Sequence, residues 1–351
     1  MTSANKLRGL DHLRAFAITI VFLYHYGGLF SHPQWVNTMF DFGWTSVDLF
    51  FVLSGYLISS QLFESICRYH SVDYKTFFIK RFFRIVPAYL PVVAFYYFLP
   101  FTRERGDTAP LWKLLTFTQN IGLDLRTQGS FSHAWSLCIE EQFYLLLPVV
   151  LMALVYFKKI PKGWMLLLLL FVFGFVARFT AWQYIVQFYE ENTFTLLWLK
   201  WLYYPTYARL DGILAGVTIA AIFQFKLNIK TQLQLYGNRL LIIGFLVLTA
   251  CWFLTRKQTS FSASVFGFPL IAIGYGFVVT GAILPTGFLY QFQSKITATI
   301  ATLSYAIYFS QNSYSYNAGF SITMDPKRWQ PDVYDLYTEL PGCRIYFKQA
   351  N

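Results

Sequence analysis

The sequence predicts an all-α protein, a polytopic bundle of about nine to ten helices that cross a membrane. Three observations predict it. Of its 351 residues, 56% are hydrophobic and only 13% charged, against roughly 25% charged in soluble domains. Apolar runs recur near residues 13–30, 44–62, 82–100, 142–157, 164–184, 209–225, 239–255, 265–284 and 296–310. The Lys and Arg residues fall in short clusters between those runs, rich in one loop and poor in the next, as the loops of membrane proteins do. Several runs are shorter than the ~20 residues that span a bilayer comfortably, so tilted or broken helices are expected.

Taken in order, the first run is interrupted by Arg14 and followed by no small-residue cleavage site, so it reads as an uncleaved first span. With the amino terminus in the cytoplasm, the inside segments carry Lys6 and Arg8, then Arg68, Lys75, Lys80 and Arg81. Further inside segments carry Lys158, Lys159 and Lys162, then Lys226, Lys230 and Arg239. The opposite loops are poorer: 31–43 has no Lys or Arg and 185–208 has only Lys200. Loop 101–134 departs from the pattern, with Arg103, Arg105, Lys113 and Arg126 partly offset by Glu104, Asp107 and Asp124. The positive-inside rule thus predicts a multi-pass protein of the cell's inner (plasma) membrane with a cytoplasmic amino terminus. From Gln311 to Asn351 the chain is polar, rich in Tyr and broken by Pro326, Pro331 and Pro341, so it cannot span as a helix.

The formal charge of +11 does not form one soluble basic patch, which argues against nucleic acid as a partner; the lipid bilayer is the partner predicted. Cys67, Cys138, Cys251 and Cys343 show neither metal-ligand spacing nor a disulfide framework, and the five His are scattered, so no metal is expected. The aromatic share of 21% exceeds what interfacial belts need, and places many rings between helices or around a cavity.

Polar groups are costly at membrane depth, and those that occur there mark candidate sites. Arg14 and His25 lie 11 residues apart, which turns a helix about 1100° and returns it to nearly the same face, about 16 Å further along. Spacing alone leaves open an Arg that snorkels to the interface and a His bonded between helices. Asp48 sits within an apolar helix beside Ser54-Gly55, a pair that also suits close helix packing. Arg81 and Arg84 are i, i+3 neighbours at the inner entrance of the third span, suited to phosphate or simply part of a positive-inside collar. Glu140 and Glu141 open the fourth span near His133 and Trp135; placed outside, they could orient a sugar hydroxyl or a catalytic His. Arg209 and Asp211 open a Gly-rich helix, where they pair with each other or Asp211 binds something in a cavity. The chain contains no G-x-S-x-G elbow, Walker loop, G-x-G-x-x-G or H-E-x-x-H.

Five ordered motifs carry a resemblance. They are Arg14 with His25; V-D-L-F-F-V-L-S-G-Y-L-I from Val47; K-R-F-F-R-I-V-P-A-Y from Lys80; W-S-L-C-I-E-E-Q-F-Y from Trp135; and R-L-D-G-I-L-A-G from Arg209. Together, over about residues 8–310, the chain resembles the membrane-bound acyltransferase-3 family, which O-acetylates bacterial surface polysaccharides such as lipopolysaccharide and some other acceptors. The resemblance implies one transmembrane domain over 1–310, with 311–351 as an atypical tail. It implies acyl-CoA, acetyl-CoA in particular, as a donor substrate on the cytoplasmic side, no tightly bound cofactor, and a carbohydrate hydroxyl as acceptor on the other side. Carried over, Arg14 and His25 match the family's essential pair, Arg81 and Arg84 its CoA-handling Arg-x-x-Arg, and Glu140 and Glu141 its paired carboxylates. Asp48, His133, Trp135, Arg209 and Asp211 are the candidate substrate contacts. The expected mechanism has Arg14, Arg81 and Arg84 hold the CoA phosphates while His25, about three turns deeper, acts as base or nucleophile.

Two departures from the family pattern stand out. Leu303-Ser304-Tyr305-Ala306-Ile307-Tyr308 is followed, after Phe309-Ser310, by Gln311 rather than by a His and another span, and no fused hydrolase-like domain is expected. A transporter using His25, Asp48 and Arg14, or an inactive truncated paralogue, are the rival readings.

Overall fold

A computed structural model describes residues 3–27, 41–69, 71–103, 106–189 and 191–310. The polar segment 311–351, with the expectation that a final helix is missing there, lies outside the described residues. The architecture is nearly all helical, 82%, and no β-strand forms among the described residues. Each of the nine apolar runs becomes one long helix: α1 (Ser3–Gly27), α2 (Ser46–Tyr69), α3 (Tyr74–Phe98), α4 (Trp135–Tyr156), α5 (Gly163–Tyr184), α6 (Leu210–Phe225), α7 (Gly237–Leu254), α8 (Phe268–Ile283) and α9 (Lys295–Ser310). Among the described residues, five helical segments, containing α2, α4, α5, α7 and α8, are long and apolar enough to cross a membrane by themselves. The full set of nine to ten spans is therefore not established by length and composition. The reasons are physical: α1 and α3 carry Arg8, Asp11, Arg14 and Lys75, Lys80, Arg81, Arg84 respectively, and α6 has only 16 residues.

Membrane character shows on the surface as well. α5 exposes Trp164, Leu168, Leu169, Val172 and Phe173, and α7 exposes Ile242, Phe245 and Leu246, faces that only an apolar solvent would tolerate. Pro87 and Pro91 lie inside α3 and Pro148 inside α4, where water-exposed helices would suffer more. At the start of α3, Asp73 Oδ1 accepts a hydrogen bond from the Thr76 amide at 3.0 Å and caps the helix.

The closest pairing in the bundle is α2 on α6. Gly212 and Gly216 form a G-x-x-x-G on α6 that meets α2 backbone: a Cβ on Gly216 would strike the Val52 carbonyl and come within 2.5 Å of the Tyr56 amide nitrogen. Gly55 on α2 is equally close to Ile213. α7 and α8 pair in the same manner through Gly244 and Gly274, while α9 packs on α1.

The segment between α3 and α4 is more than an external loop. Tyr89, nine residues before the end of α3 and so about 13 Å from that end, donates to the Leu114 carbonyl at 3.0 Å. Gln142, seven residues into α4 and about 10 Å from its start, donates to the Phe117 carbonyl at 2.7 Å and to Asn120 at 2.9 Å. Asn120 also donates to the Tyr204 carbonyl and to Thr206. Residues 111–121 therefore dip into the bundle and return. Irregular backbone is tolerated at that depth because protein groups satisfy it. Phe117 and Phe131 take φ of 52° and 60°, unusual for bulky residues, and both rings pack on Tyr89, with centroids 4.6 and 5.8 Å away.

Candidate active site

Three helices bring charged groups, and a fourth brings tyrosines, to one narrow cavity of about 210 Å³. α1 supplies Arg14, α3 supplies Arg81 and Arg84, α4 supplies Glu140 and Tyr144, and α9 supplies Tyr305 and Tyr308. Arg81 donates from Nη2 to Gln61 Oε1 at 3.3 Å, and its guanidinium lies 5.3 Å from the Tyr144 ring and 5.9 Å from Phe77. Arg84 lies 5.5 Å from the Tyr305 ring. Aromatic faces thus hold both guanidiniums without neutralising them. Arg14 approaches Asp11 at 3.7 Å, a loose ion pair. Glu140 accepts from the Tyr144 hydroxyl at 2.9 Å. The lining holds three guanidiniums and one carboxylate, so the cavity keeps an excess of positive charge.

Of the paired carboxylates, Glu140 faces the guanidinium cavity. Glu141, turned about 100° away on the same helix, does not line it, and Glu141 Oε1 is buried without a hydrogen-bond partner. Tyr144, Tyr305 and Tyr308 stand in quoted motifs yet were not chosen as site residues, and Gln61 was not singled out, because membrane cost singles out charges and neutral polar groups are unremarkable in a sequence this aromatic.

One end of the cavity meets a wider hollow of about 620 Å³ in the α2–α3 hairpin, and both share Gln61, Arg81 and Arg84 as wall. The other end is closed by a hydrogen-bonded wall. The Tyr308 hydroxyl donates to the His133 carbonyl, and the Ser136 hydroxyl, 2.8 Å from Tyr308 Oη, donates in turn. His133 itself is buried among Phe131, Tyr96 and Tyr308, at centroid distances of 5.0, 6.3 and 6.0 Å. His25 lies within electrostatic reach of His133 and is not among the cavity-lining residues. Arg14 and His25 do ride one continuous helix, as their spacing required. Of the two, only Arg14 lines the cavity.

The five expected substrate contacts lie elsewhere. Arg209 pairs with Asp48, not with Asp211, at 2.9 and 3.0 Å, both side chains buried. Asp211 is held by Arg178 through two hydrogen bonds at 2.5 and 3.2 Å, and Arg178 also bonds the Ala208 carbonyl. Arg209 is boxed by Phe268, Tyr203 and Trp135 at 4.0, 4.8 and 5.5 Å. Trp135 is therefore a wall of that box, buried on Tyr203, and not an exposed platform. None of Asp48, Trp135, Arg209, Asp211 or His133 lines the cavity. Arg178 escaped the sequence reading although the signal was present: it is the lone charge in the run 164–184.

The model of a family described as an acyltransferase domain matches residues 7–320. The O-acetyltransferase OatA of Staphylococcus aureus strain NCTC 8325 / PS 47 is 30% identical over 326 residues, covering 88% of this chain and 50% of OatA. A second staphylococcal protein, from strain COL and named as a candidate O-acetyltransferase, is 28% identical over 332 residues, 88% of this chain and 51% of its own. The chain thus spans about half the length of the curated relatives it matches. No solved structure matches it. With the family model covering most of the chain and all five motifs in order, the chain belongs to the acyltransferase-3 family of membrane acyltransferases.

Proposed function

We propose that this chain is an O-acetyltransferase of the plasma membrane, taking acetyl from acetyl-CoA on the cytoplasmic side and delivering it to a hydroxyl of an exported or surface carbohydrate. The convergence of Arg14, Arg81 and Arg84 with Glu140 around one narrow cavity carries the reading. Guanidiniums suit phosphate because their fork matches two oxygens at once. A volume of about 210 Å³ falls below the ~300–1,000 Å³ of sites that enclose a drug-sized ligand. It therefore suits the thin pantetheine arm, with the nucleotide left in the wider hollow. Positive-inside orientation puts that hollow in the cytoplasm, where acetyl-CoA is available.

In this mechanism the arginines hold the donor and the thioester advances to the Tyr308 wall. His25 acts beyond it in one of two ways. As a base, it takes the proton from the acceptor hydroxyl as that oxygen attacks the thioester carbonyl and the CoA thiolate leaves. As a nucleophile, it accepts the acetyl group first and passes it to the acceptor. The Tyr308 and Ser136 hydroxyls are placed to yield when the arm arrives, by exchanging their bonds to each other and to the His133 carbonyl for bonds to the incoming donor. Membranes containing the protein, given acetyl-labelled CoA, should place base-labile label on envelope carbohydrate; uptake of a solute with no covalent product would favour a transporter instead. Label on the enzyme itself, with donor alone, would favour the nucleophilic route.

A further inference from the structure

The α2–α3 hairpin turns two polar stripes toward one another. On α2, Gln61, Glu64, Ser65 and Arg68 follow i, i+3, i+4 and i+7, a single helix face. On α3, Phe77, Lys80, Arg81 and Arg84 repeat that spacing. Both stripes line the hollow of about 620 Å³, with the ring of Tyr69, 69% exposed, at its rim. Arg68, Lys80, Arg81 and Arg84 face it against the single carboxylate of Glu64, which holds Arg68 at 2.7 Å. Four cations and one acid leave an excess of three positive charges on the lining of this concavity. Like charges gathered on facing helices repel, and a ligand bearing several negative charges relieves them.

We propose that this hollow seats the nucleotide of the donor: Arg68 and Lys80 bind a ribose 3′-phosphate, Tyr69 stacks on the base, and Arg81 and Arg84, shared with the deeper cavity, take the diphosphate. This rests on acyl-CoA as donor. Arg68 and Lys80 then become the residues that distinguish CoA from the same molecule lacking its 3′-phosphate. The guanidinium supplies a planar fork and the ammonium a point charge, two complementary grips on one phosphate. Tyr69 contributes a flat face that tolerates any orientation of the ribose.

Calorimetric titration of the purified full-length chain with CoA and with dephospho-CoA tests this. The wild type should bind CoA about 10-fold more tightly, a difference of about 1.4 kcal/mol, and Arg68→Gln with Lys80→Gln should bring the ratio close to one. Both side chains are exposed, so the melting temperature of the double variant should match that of the wild type and certify its fold. A ratio near one in the wild type, or an undiminished ratio in the double variant, overturns the assignment while leaving acyl-CoA as donor. Failure to bind either compound overturns both. If vesicles containing phosphatidylglycerol abolish the preference, and the double variant loses only lipid binding, the charges serve a lipid headgroup and the nucleotide assignment falls.

Discussion

Among the described residues, Arg209 and Arg178 are the two largest charged side chains that are fully buried, and each owes its place to one aspartate. Removing one partner of such a pair strands the other charge in a medium that cannot solvate it, at a cost of about 3–5 kcal/mol. Asp48→Ala should therefore lower the thermal stability of the detergent-solubilised protein sharply; an unchanged melting temperature would show that Arg209 finds solvent. The acids and bases themselves were legible in the sequence, because a charge within an apolar run has few reasons to be there. Their pairing was not. Arg209 and Asp211 are two residues apart, so their side chains point about 200° apart around the axis. One meets α2 and the other meets α5, and only the helix crossings decide that. Arg14, Arg81, Arg84 and Glu140 were legible as individuals for the same reason, whereas their meeting at one cavity depends on α1, α3 and α4 packing around it.

At the scale of elements, every apolar run matched a helix, since hydrophobic length is a strong signal when a bilayer is the solvent. The dipping segment 111–121 was illegible because its depth depends on Asn120, Gln142 and Thr206, residues distant in sequence that satisfy one another. The glycines of α6 were visible as a motif, and their partner was not. Gly216 lies so near Val52 and Tyr56 that any Cβ forces α2 and α6 apart. Gly216→Ala should destabilise the fold by roughly 1–3 kcal/mol, the usual range for overpacking, seen as a lower melting temperature and a loss of monodispersity. Wild-type behaviour from that variant would mean that the α2–α6 crossing is looser than described. Since α2 carries Asp48 at one end and Gln61 and Arg68 toward the other, this crossing also sets the position of one wall of the guanidinium cavity.

Across the whole molecule, the hairpin hollow joins the ring of Arg14, Arg81 and Arg84 through Gln61, Arg81 and Arg84, and Tyr308 and Ser136 link that ring's cavity to the His133 carbonyl. The sequence reading saw the two ends, phosphate-holding arginines and a deep histidine, and supplied the ~16 Å between them from helix geometry. It lacked the wall, whose neutral hydroxyls carry no membrane cost large enough to notice. The account makes the two ends separable in kinetics, because one group holds the donor and the other acts on the transferring acyl group. The most direct test is the rate of acetyl transfer from labelled acetyl-CoA, measured against donor concentration in membranes carrying wild type, Arg81→Ala with Arg84→Ala, and His25→Ala. The arginine variant should raise the KM for acetyl-CoA by about 10-fold or more, as expected for lost charge-assisted phosphate contacts. The His25 variant should insert normally and transfer nothing above background. An arginine variant with unchanged KM, or a His25 variant that acetylates at the wild-type rate, would contradict the account.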